Sequence, residues 1–306
     1  MKAEMRRSVS EAFWALCAAD SMSMPVHWYY DIADIKRDFG GWISGFNSPR
    51  DSHPSSILTL SNTTGSGRTA WSGGASRPDV VGNVILHDKL DLWKASTGSV
   101  HYHQGLQSGE NTLNVLCALR AAHTLVSSRF TDLSRPDARA AVLSDYIGFL
   151  TTPGTHNDTY AESFHRSFFA DWQDARPTSP GQVLTFAETR SKQKLSCPPD
   201  GQLDAIGCLT AILPFILLSA SADEERAVSA AVAFVKLTHP HPKVPEYVEI
   251  YGRALHAVLG GADVRRQAEH ALRRLEAWDV CQSYSRRAAR YRHEVESVAT
   301  TAVSVS

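Results

Sequence analysis

The chain has 306 residues, 43% of them hydrophobic and 21% charged, with a formal net charge of −1. That length and apolar share suffice for one large buried core, while the near-neutral balance excludes a basic field that would recruit nucleic acid or an anionic membrane. The cysteines, Cys17, Cys117, Cys197, Cys208 and Cys281, form no C-x-x-C pair and lie mostly in apolar helical surroundings, so they read as reduced thiols of a cytoplasmic protein.

The N-terminus carries charges but no adjoining apolar run. The longest apolar stretch, residues 205–220, contains Pro214 and falls short of the ~20 residues of a membrane span, so a soluble chain without a signal peptide is expected. Apolar residues recur at spacings of three and four in 9–22, 113–126, 138–150, 206–218, 227–237 and 248–259, which predicts helices there. Strand signals are nearly absent, and the expected class is all-α in a single domain, 1–306. Residues 40–82 are rich in Gly, Ser, Asn and Pro and predict a long non-helical segment. Residues 174–201, with four prolines, predict an irregular surface crossing between two helical halves. Arginines and glutamates at helical spacing in 263–296 predict a solvated helix face, and 297–306 a frayed end.

Three segments concentrate the unusual chemistry. Asp20 falls on the stripe of Phe13, Leu16 and Cys17, which turns its carboxylate inward, where it needs donors or a cation. It either serves a polar site or caps a neighbouring helix, and the sequence leaves both open. Glu110 and Asn111 precede the helix predicted near Thr112; ordinary helix-start chemistry explains them best, and a hard-cation or sugar-hydroxyl site is the alternative. Asp158, Glu162 and His165 stand at i, i+4 and i+7, which predicts one helix face with Arg166 beside it. Thr159 and Glu162 predict a capping box, giving Glu162 a structural explanation that Asp158 and His165 lack. Trp28-Tyr29-Tyr30 beside His27 offers an aromatic stacking surface, and no Walker loop, H-E-x-x-H or nucleophile elbow occurs.

The segment Ala19-Asp20-x-x-Ser23-Met24-Pro25-Val26-His27 resembles the G-D-x-x-G-x-P-x-E opening motif of the ADP-ribosylglycohydrolase family. Gly109-Glu110-Asn111-Thr112 stands where that family has T-D-D-T, and Leu237-Thr238-His239 resembles its L-T-H segment. His101-Tyr102-His103-Gln104 and Thr155-His156-Asn157-Asp158-Thr159 resemble a bacterial-type branch. The resemblance implies an all-α, roughly orthogonal bundle whose cleft holds Mg²⁺ or Mn²⁺. The implied reaction is hydrolysis of the bond joining ADP-ribose to a modified protein or a small molecule, through an oxocarbenium-like transition state. On this basis Asp20, His27 and Asp158 are expected to be catalytic, Trp28, His101, His103, His156 and His165 to bind substrate, and Glu110, Asn111 and Thr112 to bind metal. His27 replaces the motif's glutamate and is expected to be a general base with a pKa near the usual ~6.5. The C-terminal G-G-D-x-D-T motif has no counterpart, because Gly260-Gly261-Ala262-Asp263-Val264 runs into arginines, so the expected cation is held weakly. The alternatives to a hydrolase are an ADP-ribosyl-binding pseudoenzyme and a helical scaffold.

Overall fold

The computed structural model describes residues 3–65, 77–95, 99–197, 200 and 202–276. These hold eleven α-helices: α1 (Ala3–Ser23), α2 (Ile32–Phe39), α3 (Leu90–Trp93), α4 (Leu113–Ser127), α5 (Pro136–Thr151), α6 (Ser163–Ala175), α7 (Pro180–Leu195), α8 (Gly207–Leu218), α9 (Glu224–Thr238), α10 (Val244–Leu259) and α11 (Val264–Arg274). Among the described residues there is no sheet, only two isolated bridges, Ser52 with Val100 and Val81 with Ile85. No described helix is long and apolar enough to cross a membrane.

Helix α8 is apolar on every side, which marks it as the buried centre. It packs against α4, α9 and α10, while α5 packs on α4 and α7. Pro214 lies inside α8. It removes the amide that would serve the carbonyl of Thr210, four residues earlier. In α9 the buried set Ala227, Val228, Ala230, Ala231, Phe234 and Val235 covers a broad stripe, as the periodicity predicts.

Two expectations fail in instructive ways. The region 174–201 is not an irregular crossing, because α7 fills most of it. Ser179 caps that helix, its hydroxyl accepting from the Gln182 amide and the Gln182 side chain accepting from the Ser179 amide, with Pro180 in the first turn, where a missing N–H costs nothing. Prolines that read as breakers are helix starters here. The shared helix face of Asp158, Glu162 and His165 also does not form, since α6 begins at Ser163 and the two acids precede it in extended chain. Glu162 is the N-cap residue, yet its side chain caps nothing, so the predicted box is absent.

The described parts of 40–82 contain only a short 3-10 turn, Leu58–Leu60, as expected for a non-helical segment. In the tail, Asp263 caps α11 by accepting from the Arg266 amide at 2.8 Å. The remainder of the predicted charged helix, and the frayed end, lie outside the described residues.

Candidate active site

Four pieces of chain converge on one cleft: the end of α1 with the turn Met24–Val26, the loop that carries His103, the start of α4, and the extended segment leading into α6. Gly207 and Thr210 of α8 complete its wall. Its volume is about 600 Å³, within the roughly 300–1,000 Å³ of small-molecule sites.

The loops are clamped before any chemistry is placed on them. Trp93 Nε1 donates to the Thr159 carbonyl at 2.9 Å, and the Thr159 hydroxyl accepts from the Gly105 amide at 2.7 Å. Gly105 is required, because a Cβ there would lie 2.0 Å from the Asn157 carbonyl oxygen. Two buried histidines fix the 24–27 turn from behind. His53 Nε2 donates to the His27 carbonyl at 2.8 Å while its Nδ1 accepts from Ser55, and His101 Nε2 donates to the Pro25 carbonyl at 3.0 Å while its Nδ1 accepts from the His103 amide. Burial pushes His101 down to about 4, so it stays neutral in this role. His101 is therefore a strut, not the substrate contact expected from sequence, and His53 is a partner that sequence reasoning missed.

His27 and His103 line the cleft with Asp158 behind them. His27 Nδ1 meets His103 Nε2 at 2.7 Å, and His103 Nδ1 meets Asp158 Oδ1 at 2.7 Å. The other Asp158 oxygen accepts from the Leu113 amide, at the first turn of α4, at 2.7 Å. Burial alone would raise the Asp158 carboxyl, but His103 and the amides of Leu113 and Tyr160 overcome that and hold it below its usual range. Asp158 can only accept, so His103 Nδ1–H donates to it, and in the tautomer in which His103 Nε2 accepts from His27 Nδ1–H, His27 Nε2 keeps a bare lone pair. Burial, reinforced by the neighbouring His103, pushes His27 down to about 3, which corrects the expectation of a base near its ordinary value.

A second hydrogen-bonded chain reaches the same cleft. The Tyr146 hydroxyl pairs with His165 Nδ1 at 2.7 Å, His165 Nε2 with Asn114 Oδ1 at 3.0 Å, and Asn114 Nδ2 donates to Glu162 Oε1. Burial raises the Glu162 carboxyl against the pull of Asn114 and Arg166. Gly207 makes room for it, since a Cβ there would lie 2.5 Å from Glu162 Oε1. Asn114 and Glu162 line the cleft. His165 does not: it is buried behind them, so the expectation that it touches substrate is corrected to support of Asn114. The capping-box explanation hid Glu162 at sequence level.

Asp20 lines the cleft, and its carboxylate is saturated by the start of α4: Oδ2 accepts from the Thr112 amide at 2.7 Å and from Asn111 Nδ2 at 3.0 Å, and Oδ1 from the Thr112 hydroxyl at 2.7 Å. The capping reading thus describes its bonds. Glu110 lies outside the cleft, its oxygens held by the Gln107 amide and Asn157 Nδ2, both at 2.7 Å. Asn111 turns its amide nitrogen toward α1, onto the Cys17 carbonyl and Ser21. Of the metal set expected at Glu110, Asn111 and Thr112, the Glu110 oxygens accept from proton donors, while the Asn111 amide nitrogen and the Thr112 hydroxyl donate to Asp20. No group of three His, Cys, Asp or Glu placed to hold a cation occurs among the described residues. His156 packs against Phe149 away from the cleft, and Trp28 lies against His27 with ring centroids 4.4 Å apart, facing a separate cavity.

A family model for ADP-ribosylglycohydrolases matches residues 1–305. The chain belongs to the ADP-ribosylglycohydrolase family. The all-α architecture accords with that membership, and it gives this chain a hydrolase ancestry of glycosidic type. Comparison with curated proteins and with solved structures found no match.

Proposed function

We propose that this ADP-ribosylglycohydrolase-family chain hydrolyses the bond between C1 of an ADP-linked ribose and its acceptor, on an ADP-ribosylated protein or a small ADP-ribosyl compound, in the His27–Glu162 cleft. One observation carries the reading: His27 and Glu162 line the same cleft, where burial pushes the imidazole down and the carboxyl up. Glu162 supplies its proton to the acceptor atom as the C1–acceptor bond breaks, and water adds to the oxocarbenium-like carbon while its proton passes to His27 Nε2. A base of pKa about 3 suits that step. It matches the basicity of a carboxylate, about 3.9–4.3, and a carboxylate is what the family motif carries at this position. His103 orients the His27 ring, and the Asp158 carboxylate behind it favours the imidazolium as the proton arrives.

A second reading, a chain that binds ADP-ribose without turnover, is favoured by the carboxylates of Asp20 and Glu110, whose oxygens are each already accepting hydrogen bonds from the protein. Liberated ADP-ribose, measured by chromatography over a panel of arginine- and serine-ADP-ribosylated peptides and O-acetyl-ADP-ribose, separates the two. Release by the wild type that is lost in both Glu162→Gln and His27→Ala supports hydrolysis. Tight ADP-ribose binding with no release from any of the panel overturns it in favour of binding alone.

A further inference from the structure

A second cavity, of about 400 Å³, shares Tyr160 with the cleft as a common wall. Its mouth is aromatic: Tyr30 is 78% exposed, and Trp28 and Tyr102 stand edge to face with centroids 4.6 Å apart. Arg166 also lines it and is only 6% exposed. Its Nη2 donates to the Ser163 hydroxyl at 2.9 Å, and the guanidinium sits 4.9 Å from the centroid of the Trp93 ring. Nη1 is buried without a hydrogen-bond partner, and Arg166 makes no ion pair among the described residues.

The contrast with Arg190 gives this weight. Arg190, 2% exposed, also leaves Nη1 unpaired, but its charge is matched by Asp171, whose Oδ2 lies 2.8 Å from Nε. Arg166 feels the Glu162 carboxyl only from beyond ion-pair distance, and a serine hydroxyl with an indole face is thin compensation for a buried guanidinium. Nothing in the proton chemistry of the cleft uses Arg166 Nη1.

We propose that this cavity binds a flat aromatic anion, its ring held among Trp28, Tyr30 and Tyr102 and its carboxylate or phosphate on Arg166. Ring stacking and a charge-assisted hydrogen bond are the two contributions that such a ligand makes at once. Tyr30 lines this cavity and not the cleft, so the site stands apart from the catalytic reading and does not depend on it.

Calorimetric titration with benzoate, phenyl phosphate and the neutral benzyl alcohol tests it on the full chain. The wild type is expected to bind at least one of the two anions, and to bind benzyl alcohol more weakly; which anion it prefers identifies the acidic group. Arg166→Met should weaken the anion by roughly tenfold or more, the loss of one charged hydrogen bond. Should that variant not fold, Tyr30→Ala, at an exposed rim, decides by weakening both anion and alcohol. Three results overturn the proposal: no anion binding by the wild type at millimolar concentration, equal affinity for benzyl alcohol, or affinity undiminished in Tyr30→Ala.

Discussion

Two hydrogen-bonded chains run into the cleft, and the same force acts on their ends in opposite directions. Asp158–His103–His27 ends in an imidazole, Tyr146–His165–Asn114–Glu162 in a carboxyl. Burial disfavours whichever form is charged, so it lowers His27 to about 3 and raises Glu162. Near neutral pH one wall presents a lone pair and the other is biased toward a proton. The pairing of acid and base is thus a consequence of shared desolvation, with the supporting chains deciding only direction and orientation.

Removing the proton at one end is the severest way to break that symmetry. Glu162→Gln keeps an oxygen for Asn114 and the volume beside Gly207, so binding of ADP-ribose should change little. Turnover should fall by roughly 10²–10⁴, the usual worth of a positioned proton donor. Equal loss of binding and turnover, read from calorimetry and initial rates, would demote Glu162 to a structural role. The pH profile sharpens the point: turnover should decline as pH rises through the raised Glu162 value, while the acid side stays flat to well below the ordinary histidine value, because His27 is already neutral.

Breaking the support of the other chain should show mainly as stability. Asp158 is fully buried and serves His103, the Leu113 amide and the Tyr160 amide. Asp158→Ala strands those donors and should cost about 3–5 kcal/mol in urea unfolding. A loss under 1 kcal/mol would mean that the histidine pair stands without its carboxylate.

Acid should act next, through histidines that folding keeps neutral. His101 and His239 are fully buried and lowered to about 4 and about 3. Above pH ~6.5 both are neutral folded or unfolded and contribute no pH dependence. Below it the unfolded chain takes up protons that the folded chain refuses, so stability falls, by roughly 2 kcal/mol per histidine at pH 5. Urea midpoints at pH 7 and pH 5 check this, and His239→Gln should remove one proton's worth of the slope.

The smallest expected effect is that of Mg²⁺. With Asp20 and Glu110 saturated by donors, millimolar Mg²⁺ should move the melting temperature hardly at all, since even a concentration equal to Kd adds only about 0.4 kcal/mol. A large shift at micromolar metal would show that residues outside those described complete a cage.

Much of this architecture is written in periodicity. The helices around α8 were legible because apolar spacing alone dictates them, and α7 was not, because Pro180 and Ser179 read as breakers until the capping geometry is seen. In the site, Asp20, His27, His103 and Asp158 were marked by polar types in improbable places. Glu162 received a structural explanation because Thr159-x-x-Glu162 imitates a cap, and Asn114 drew no notice because an asparagine inside a helix start carries no signal of its own. His101 and His165 drew notice for their chemistry, but their work is to hold a turn and an amide. Spacing along a chain reports which residues are unusual; only folding reports which of them face solvent and which face each other.

Trp28 adopts φ of 61°, the left-handed region that a bulky residue enters at a cost of order 1–3 kcal/mol. It does so between His27, against which its ring lies tilted by 32°, and the aromatic mouth of the second cavity. Stability and activity are therefore opposed at this one position. A glycine there would ease the backbone and remove the ring between His27 and the second cavity, so selection for heat resistance alone would discard Trp28, and its persistence under such selection would measure how much that ring matters.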